Sequence, residues 1–401
     1  MKYMKSSNNH NIISSLPNRI LYILFFIITA SVFFPWHVYV KFFFCIYALI
    51  LIKNRVSFDS MALWLLIFSV SYSLFGLLNH HFTLLFFSYI IAPFTYYLLG
   101  KYVIKDLSLN NVIWFVILTI LSLGLYVYIG AIIQMKAGIL VSVTRKIDLP
   151  YIDEMAATLL GAVVSLGFCG LPMFLKYGNL KNIQSWLFLL LFFFSLLVIL
   201  HLSNRTGMVV ILVCLVFSFF YRVKRISRLA MIIITFITVF VLIELWQKYG
   251  ILFDDFVSSF ETRNDNSSIE TGGDRTTRWI DAIGNLFTSP LGWDPTYGRV
   301  HNYWLDVARV GGIIPFIALI VATIKSIIVS LKMFNIKHSL FIFLLLELYI
   351  CFFLTCMVEP ILEGISTYTY LFCMLWGMQK QFCLSYLLFK KKRAVLQNHA
   401  S

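Results

Sequence analysis

Long apolar runs follow one another along this chain, separated by short connections in which the charged residues collect. About twenty apolar residues cross a bilayer, and fewer suffice where neighbours thin it. On that criterion the pattern predicts about twelve transmembrane helices, at 20–34, 36–52, 61–78, 82–100, 111–134, 155–175, 185–202, 206–221, 229–246, 302–324, 339–358 and 364–388. The expected fold class is all-α, a polytopic membrane helix bundle forming one integral membrane domain over 1–401. One large loop, 247–301, lies outside it, and a shorter one spans 135–154. There is no internal repeat.

Charge sets the orientation. With the N-terminus inside, every cytoplasmic connection holds at least two Lys or Arg, from Lys53 and Arg55 to the Arg222, Lys224, Arg225, Arg228 group and the tail Lys390 to Arg393. The positive-inside rule then places both termini in the cytoplasm and the loop 247–301 outside it. Lys2, Lys5 and Arg19 precede the first run, no A-x-A-like cleavage site follows, and that run reads as a retained span.

Composition narrows the class further. Hydrophobic residues make up 60% of the 401 and charged residues 12%, far from the balance of a soluble domain. The 32 Lys and Arg against 18 Asp and Glu belong to topology and contact with membrane lipids. No nucleic-acid motif accompanies them. All seven cysteines fall inside apolar runs without metal-ligand spacing, so neither a disulfide framework nor a metal site is expected.

The outer loop carries candidate chemistry. Trp279, Ile280, Ile283, Leu286 and Phe287 recur at helical spacing, with Asp274, Arg275, Arg278 and Asp281 on the other face. This predicts an amphipathic helix lying at the interface, capped by Thr271 or Asp274 and ended by Ser289-Pro290-Leu291-Gly292. Asn302, Asp306 and Arg309 form a polar stripe at the start of the tenth run, where Asp306 and Arg309 either pair with each other or serve a site. Gly311-Gly312 predicts close packing and Pro315 a kink. The turn His201-Leu202-Ser203-Asn204-Arg205-Thr206-Gly207 falls on the same side, where Arg205 either snorkels to headgroups or binds a ligand.

These elements put Arg205, Arg275, Arg278, His301 and Arg309 at one membrane face. Grouped cations suit a phosphate or diphosphate, and a histidine beside them suits proton transfer near neutrality. No P-loop, GxGxxG or D-x-D in the loop points to a soluble nucleotide, so a lipid-carried donor fits better.

The residues from about 185 to 316 resemble the O-antigen polymerase and O-antigen ligase superfamily of membrane glycosyltransferases. The resemblance rests on Ser203-Asn204-Arg205-Thr206-Gly207, on Gly273-Asp274-Arg275 with Trp279 and Ser289-Pro290-Leu291-Gly292, and on His301-Asn302 with Leu305 and Gly311-Gly312-Ile313. Asn204 stands where the family often has Ser next to Arg. The resemblance implies an enzyme of the bacterial inner membrane that transfers glycan from undecaprenyl diphosphate to a sugar hydroxyl, with no metal or cofactor. It gives His301 the role of general base and Arg205 and Arg275 that of holding the leaving diphosphate. Arg278, Asn302 and Arg309 are added as substrate contacts from their positions. The run His301-Asn302-Tyr303-Trp304-Leu305-Asp306 favours a polysaccharide polymerase, compatible with a chain-length-regulating partner. The alternatives are an O-antigen ligase, a non-catalytic lipid-linked glycan flippase built around Glu347, and a membrane scaffold. Glu359 and Glu363, at the outer side of the same bundle, are left as contacts of substrate or of an arginine.

Overall fold

The structure, a computed structural model, describes residues 16–34, 36–79, 84–139, 142, 146–149, 152–170, 183–220, 275–293, 298–336 and 340–398. In chain order these form α1 (Leu16–Ala30), α2 (His37–Ile52), α3 (Ser60–Asn79), α4 (Leu84–Asp106), α5 (Leu109–Lys136), β1 (Lys146–Leu149) and β2 (Ile152–Ala156). Then come α6 (Ala157–Ser165) with a 3₁₀ extension (Leu166–Gly170), α7 (Ile183–His201), α8 (Arg205–Phe220) and α9 (Arg275–Thr288). The chain closes with α10 (Tyr303–Gly311), α11 (Ile313–Phe334), α12 (Leu340–Val358), α13 (Ile361–Gly364) and α14 (Ser366–Asn398).

This is a helical membrane protein. Helices α3, α5, α7, α11 and α12 are long and apolar enough to cross a bilayer, and α1, α2, α6 with its extension and α8 are shorter apolar helices. The predicted span at 229–246 and most of the loop 247–301 lie outside the described residues. One correction to the all-α expectation falls in the loop 135–154, where β1 and β2 pair antiparallel, Lys146 opposite Ala156 and Leu149 opposite Ile152.

Polar contacts at the helix ends sort into two groups. At one end Arg55 donates to Tyr102, Lys101 to Asp59 and Gln184 to Asn110. At the other, Ser142 N donates to His201 O, Asn204 to Ala157 O and Asn302 to Met357 O. Each group joins segments that an antiparallel succession of spans puts on one side.

Between the two ends, packing holds the bundle. Water gives no hydrophobic drive between helices in lipid, so close backbone approach matters more. Helix α4 crosses α14 at two glycines. A Cβ on Gly100 would lie 1.9 Å from Met374 O, and one on Gly377 would lie 1.9 Å from Tyr97 O. Beside this crossing the rings of Tyr89, Tyr96 and Tyr370 stack edge-on or tilted at 5.1–5.5 Å.

Asp59 fastens the end of the bundle that the charge pattern puts in the cytoplasm. Its Oδ1 accepts from Met61 N and Ala62 N at 3.1 and 3.0 Å, an N-cap on α3. Its Oδ2 accepts from Tyr97 Oη and from the fully buried Lys101 Nζ, both at 2.8 Å. Burial alone would raise this carboxyl's pKa, but Lys101, the cap and Tyr97 outweigh it and hold it below the usual carboxylate value. A depressed folded-state value means that the carboxylate stabilises the fold above its unfolded value. That contribution is lost as pH falls through the folded value. Asp59→Ala leaves Lys101 buried without its counter-charge, and we expect a loss of about 3 kcal/mol. A detergent-solubilised thermal melt checks it: the variant should melt several degrees lower, and an unchanged melt excludes this role.

The tenth predicted span is the main departure. The run 302–324 is not one helix: it breaks at Gly312, and the membrane-length helix α11 runs from Ile313 to Phe334. Gly312 has φ +76°, and a Cβ there would lie 2.2 Å from Pro290 O, so only glycine fits. Pro315 makes no kink. It is the third residue of α11, where its missing N–H has no helical partner to lose. Gly311 does pack closely, with Tyr72 Cα of α3 3.3 Å from where its Cβ would stand. Helix α14 also outruns its predicted end and takes in the basic tail Lys390 to Arg393.

Candidate functional site

Helix α9 forms where its amphipathic pattern predicts, but the stripe divides. Ala282 and Leu286, with Trp279 at their edge, pack on Trp293, Val300, Leu305 and Ala308 in a small core separate from the main one. Ile280, Ile283 and Phe287 point outward, Phe287 with 74% of its surface exposed. This outward face suits lipid at the bilayer surface. The helix ends as expected. Ser289 N donates to Asn285 O, and Gly292 turns the chain at φ +109°. Asn79 then donates to Leu291 O from the end of α3.

The strap 298–301 leads into α10 and is held on both sides. Arg278 Nη1 donates to Arg299 O at 3.0 Å and Trp279 Nε1 to Val300 O at 3.1 Å. Val300 N donates to Asp306 Oδ1 at 2.9 Å. The same Asp306 oxygen accepts from Arg309 Nε at 3.4 Å. Arg309 O in turn accepts from Trp293 N. Of the two readings of this pair, mutual pairing is what the structure contains. Arg309 is buried inside it, whereas Arg278 is exposed and Arg275 partly so.

Asn302 is also committed to the fold. Its Oδ1 accepts from Leu305 N at 3.2 Å, capping α10, and its Nδ2 donates to Met357 O at the end of α12 at 3.1 Å. His301 stands just before this cap in a left-handed conformation, φ +60°, which side chains other than glycine seldom adopt. Such strain persists where surrounding contacts fix it and clusters at functional sites. Its Nδ1 is buried without a hydrogen-bond partner among the described residues. Burial first, then the charges of Arg275, Arg278 and Arg299, push the His301 pKa down to about 4. At neutral pH the ring is therefore uncharged and able to accept a proton.

The turn before α8 is the second half of the site. Ser203 has φ +46°, and Asn204 caps the helix by accepting from Gly207 N at 2.6 Å. Asn204 Nδ2 donates to Ala157 O at 2.6 Å, an approach that Gly161 permits, since a Cβ there would lie 2.1 Å from that nitrogen. Asn204 is thus the residue that caps α8 immediately before Arg205. His201 meets Gln134 at 2.8 Å, tying the turn to α5.

The two halves meet at the end of α12. Thr206, next to Arg205, donates to the buried Glu359, while Asn302, next to His301, donates to Met357 O two residues earlier. The structure therefore brings His301, Arg275 and Arg278 together and ties Arg205 to the same corner through α12. Sequence reasoning missed Arg299 and the Thr206–Glu359 contact. Arg299 had only its closeness in sequence to His301, two residues away, as a signal. The Thr206–Glu359 contact joins residues 153 apart and leaves no local trace. Glu347 lies buried within the bundle, where Ser218 donates to its Oε1 at 2.6 Å. The Glu363 side chain is outside the described residues. No protein-family model matches this chain, and no curated protein matches it at a significant level.

Proposed function

We propose that this chain is a glycosyltransferase of the outer face of the bacterial cytoplasmic membrane, a polysaccharide polymerase. It moves glycan from an undecaprenyl-diphosphate carrier to a sugar hydroxyl of a second lipid-linked repeat unit. The observation that carries the reading is the convergence on the end of α12, where the turns bearing Arg205 and His301 are tied to Glu359 and Met357. Burial first, then the charges of Arg275, Arg278 and Arg299, keep His301 neutral at physiological pH. A neutral imidazole takes the proton of the attacking hydroxyl, and arginines stabilise charge developing on the leaving diphosphate. Asn302 and Arg309 serve by holding α10 in place. The same site in a ligase would pass a finished chain to lipid A-core.

Purified protein incubated with lipid-linked repeat units tests the reading. We expect elongated glycan on the lipid carrier, and a loss of about 10²-fold or more in Arg275→Ala. No elongation by well-folded protein excludes a polymerase. A deletion strain separates the related activities: single repeat units on the surface lipid indicate a polymerase, none indicates a ligase. A flippase or scaffold predicts no elongation by the purified protein, parent or variant.

A further inference from the structure

We propose that Glu347 is a proton-binding site inside the bundle, and that its bound proton keeps α8 seated on α12. The inference stands apart from the glycosyl-transfer reading.

Helices α8 and α12 meet along a seam whose positions match in steps of four. On α8 they are Thr206, Val210, Cys214 and Ser218; opposite them, on α12 and just past its end, stand Glu359, Thr355, Cys351 and Glu347. Residues four apart share one face of a helix. Thr206 donates to Glu359, Cys214 Sγ lies 3.5 Å from Cys351 Sγ, and Ser218 Oγ lies 2.6 Å from Glu347 Oε1. At the level of Val210, Thr355 meets Ser165 of α6 at 3.4 Å. The seam begins at the outer site and ends at Glu347, twelve residues and about 18 Å of helix rise farther in. Glu347 and Ser218 are both buried. Polar pairs of this kind commonly join helices in lipid. Glu347 differs from the others in being an acid deep inside the bundle.

Among the described residues no cation pairs with Glu347. The titratable groups that the seam and its neighbours contribute are free thiols: Cys214 on α8, Cys351 on α12 and Cys169 on the 3₁₀ extension packed against α12. On its other sides α12 meets α11 through Tyr349 and Ser326, α14 through Leu345 O and Gln379, and α10 through Phe353 and Trp304. On those elements Lys325 donates to Ser60 and Arg309 pairs with Asp306. Lys332 of α11 and Lys380 of α14 make no ion pair with Glu347.

The hydrogen bonds here need a proton that only Glu347 can hold. Ser218 Oγ lies 2.6 Å from Cys214 O as well as from Glu347 Oε1. A serine hydroxyl has one proton, so it serves one of these oxygens at a time. An oxygen–oxygen contact of that length needs a proton between the atoms. A peptide carbonyl has none to give, so the second proton belongs to the Glu347 carboxyl. Its other oxygen, Oε2, is buried with no hydrogen-bond partner among the described residues, which a neutral acid tolerates better than a carboxylate. When the proton leaves to water, one of the two short contacts loses its hydrogen and an unpaired charge appears inside the bundle. Both effects drive α8 from α12. Thr206 and Glu359 belong to the same seam, so the loosening reaches the residue beside Arg205.

The test uses the full chain in nanodiscs with isotope-labelled glutamate carboxyl carbons, the Glu347 signal assigned by its loss in Glu347→Gln. Should that variant fold poorly, the one glutamate signal that moves in Ser218→Ala assigns it. At neutral pH the Glu347 resonance should be that of a carboxylic acid; a carboxylate resonance there overturns the proposal. Seating is read by amide hydrogen exchange along α8 in the parent and in Glu347→Gln, compared at each pH so that ordinary base catalysis of exchange cancels. Glutamine keeps a neutral side chain with an N–H for Ser218 and cannot ionise. Parent and variant should exchange alike at neutral pH. Once the Glu347 signal has moved to the carboxylate, α8 of the parent should exchange at least about tenfold faster than that of the variant. Equal exchange with Glu347 ionised overturns the coupling. If Glu347 keeps its proton until the bundle unfolds, the parent should unfold at a lower alkaline pH than Glu347→Gln, and an equal limit overturns the coupling as well.

Discussion

His301→Asn should abolish long-chain glycan while the protein remains in the membrane at its normal level. Loss of a general base costs about 10²–10⁴-fold in rate. For a polymer built by repeated transfers, that leaves only the shortest products. Asparagine is the informative replacement. His301 sits at φ +60°, a conformation that asparagine tolerates better than alanine does. It therefore removes the base without adding backbone strain. The contacts that fix this corner belong to its neighbours: Val300 to Asp306 and Trp279, and Asn302 to Leu305 and Met357. None of them uses the imidazole, so the fold should survive. Chain length on gels, read beside membrane abundance, gives the result. Normal chains in His301→Asn remove the base from the mechanism; absent protein in that variant shows a structural role for the ring.

The membrane class was legible because it is written in composition and in long apolar runs, which nothing in tertiary structure can override. Most of the described helices fall within a few residues of their predicted spans for that reason. The tenth span was not legible. The run 302–324 has one hydropathy, and what breaks it is a contact 22 residues away, Pro290 O filling the space of a Gly312 side chain. The hairpin in 146–156 was invisible because so short a ladder carries no periodicity of its own. Among candidate site residues, sequence position grouped Arg275, Arg278 and His301 in one loop, but did not show which polar residues hold the scaffold. Asn302 and Arg309 read as substrate contacts, with mutual pairing of Asp306 and Arg309 as the other reading, because charge is costly in a span and needs a partner or a site. In the structure Asp306 and Arg309 pair and fasten the strap while Asn302 caps α10, and the tie of Asn302 to Met357 comes from another helix.

Gly377→Val should prevent accumulation of folded protein, and Gly100→Val should do the same. At both positions the added Cβ would stand 1.9 Å from a carbonyl oxygen, of Tyr97 in one case and Met374 in the other. Both obstacles are backbone in the middle of a helix, so no rotamer change relieves the clash, and the two helices must separate. In a core this closely packed, separation forfeits dispersion contacts along the whole crossing. Overpacking typically costs about 1–3 kcal/mol where side chains can yield. Here they cannot, and the cost should exceed that range. The crossing also carries Tyr97 and Lys101, which reach Asp59 at the base of α3, so prying α4 from α14 displaces that clamp as well. Gly138→Ala is the control. A Cβ there meets nothing within 4 Å, although φ +89° imposes a backbone penalty, expected to be about 1–2 kcal/mol. Membrane abundance and a detergent melt should therefore rank Gly138→Ala well above both valine variants. Valine variants as abundant and as stable as the parent would mean that α4 and α14 do not cross at these glycines. The remainder of the bundle would then need another account of its closest contact.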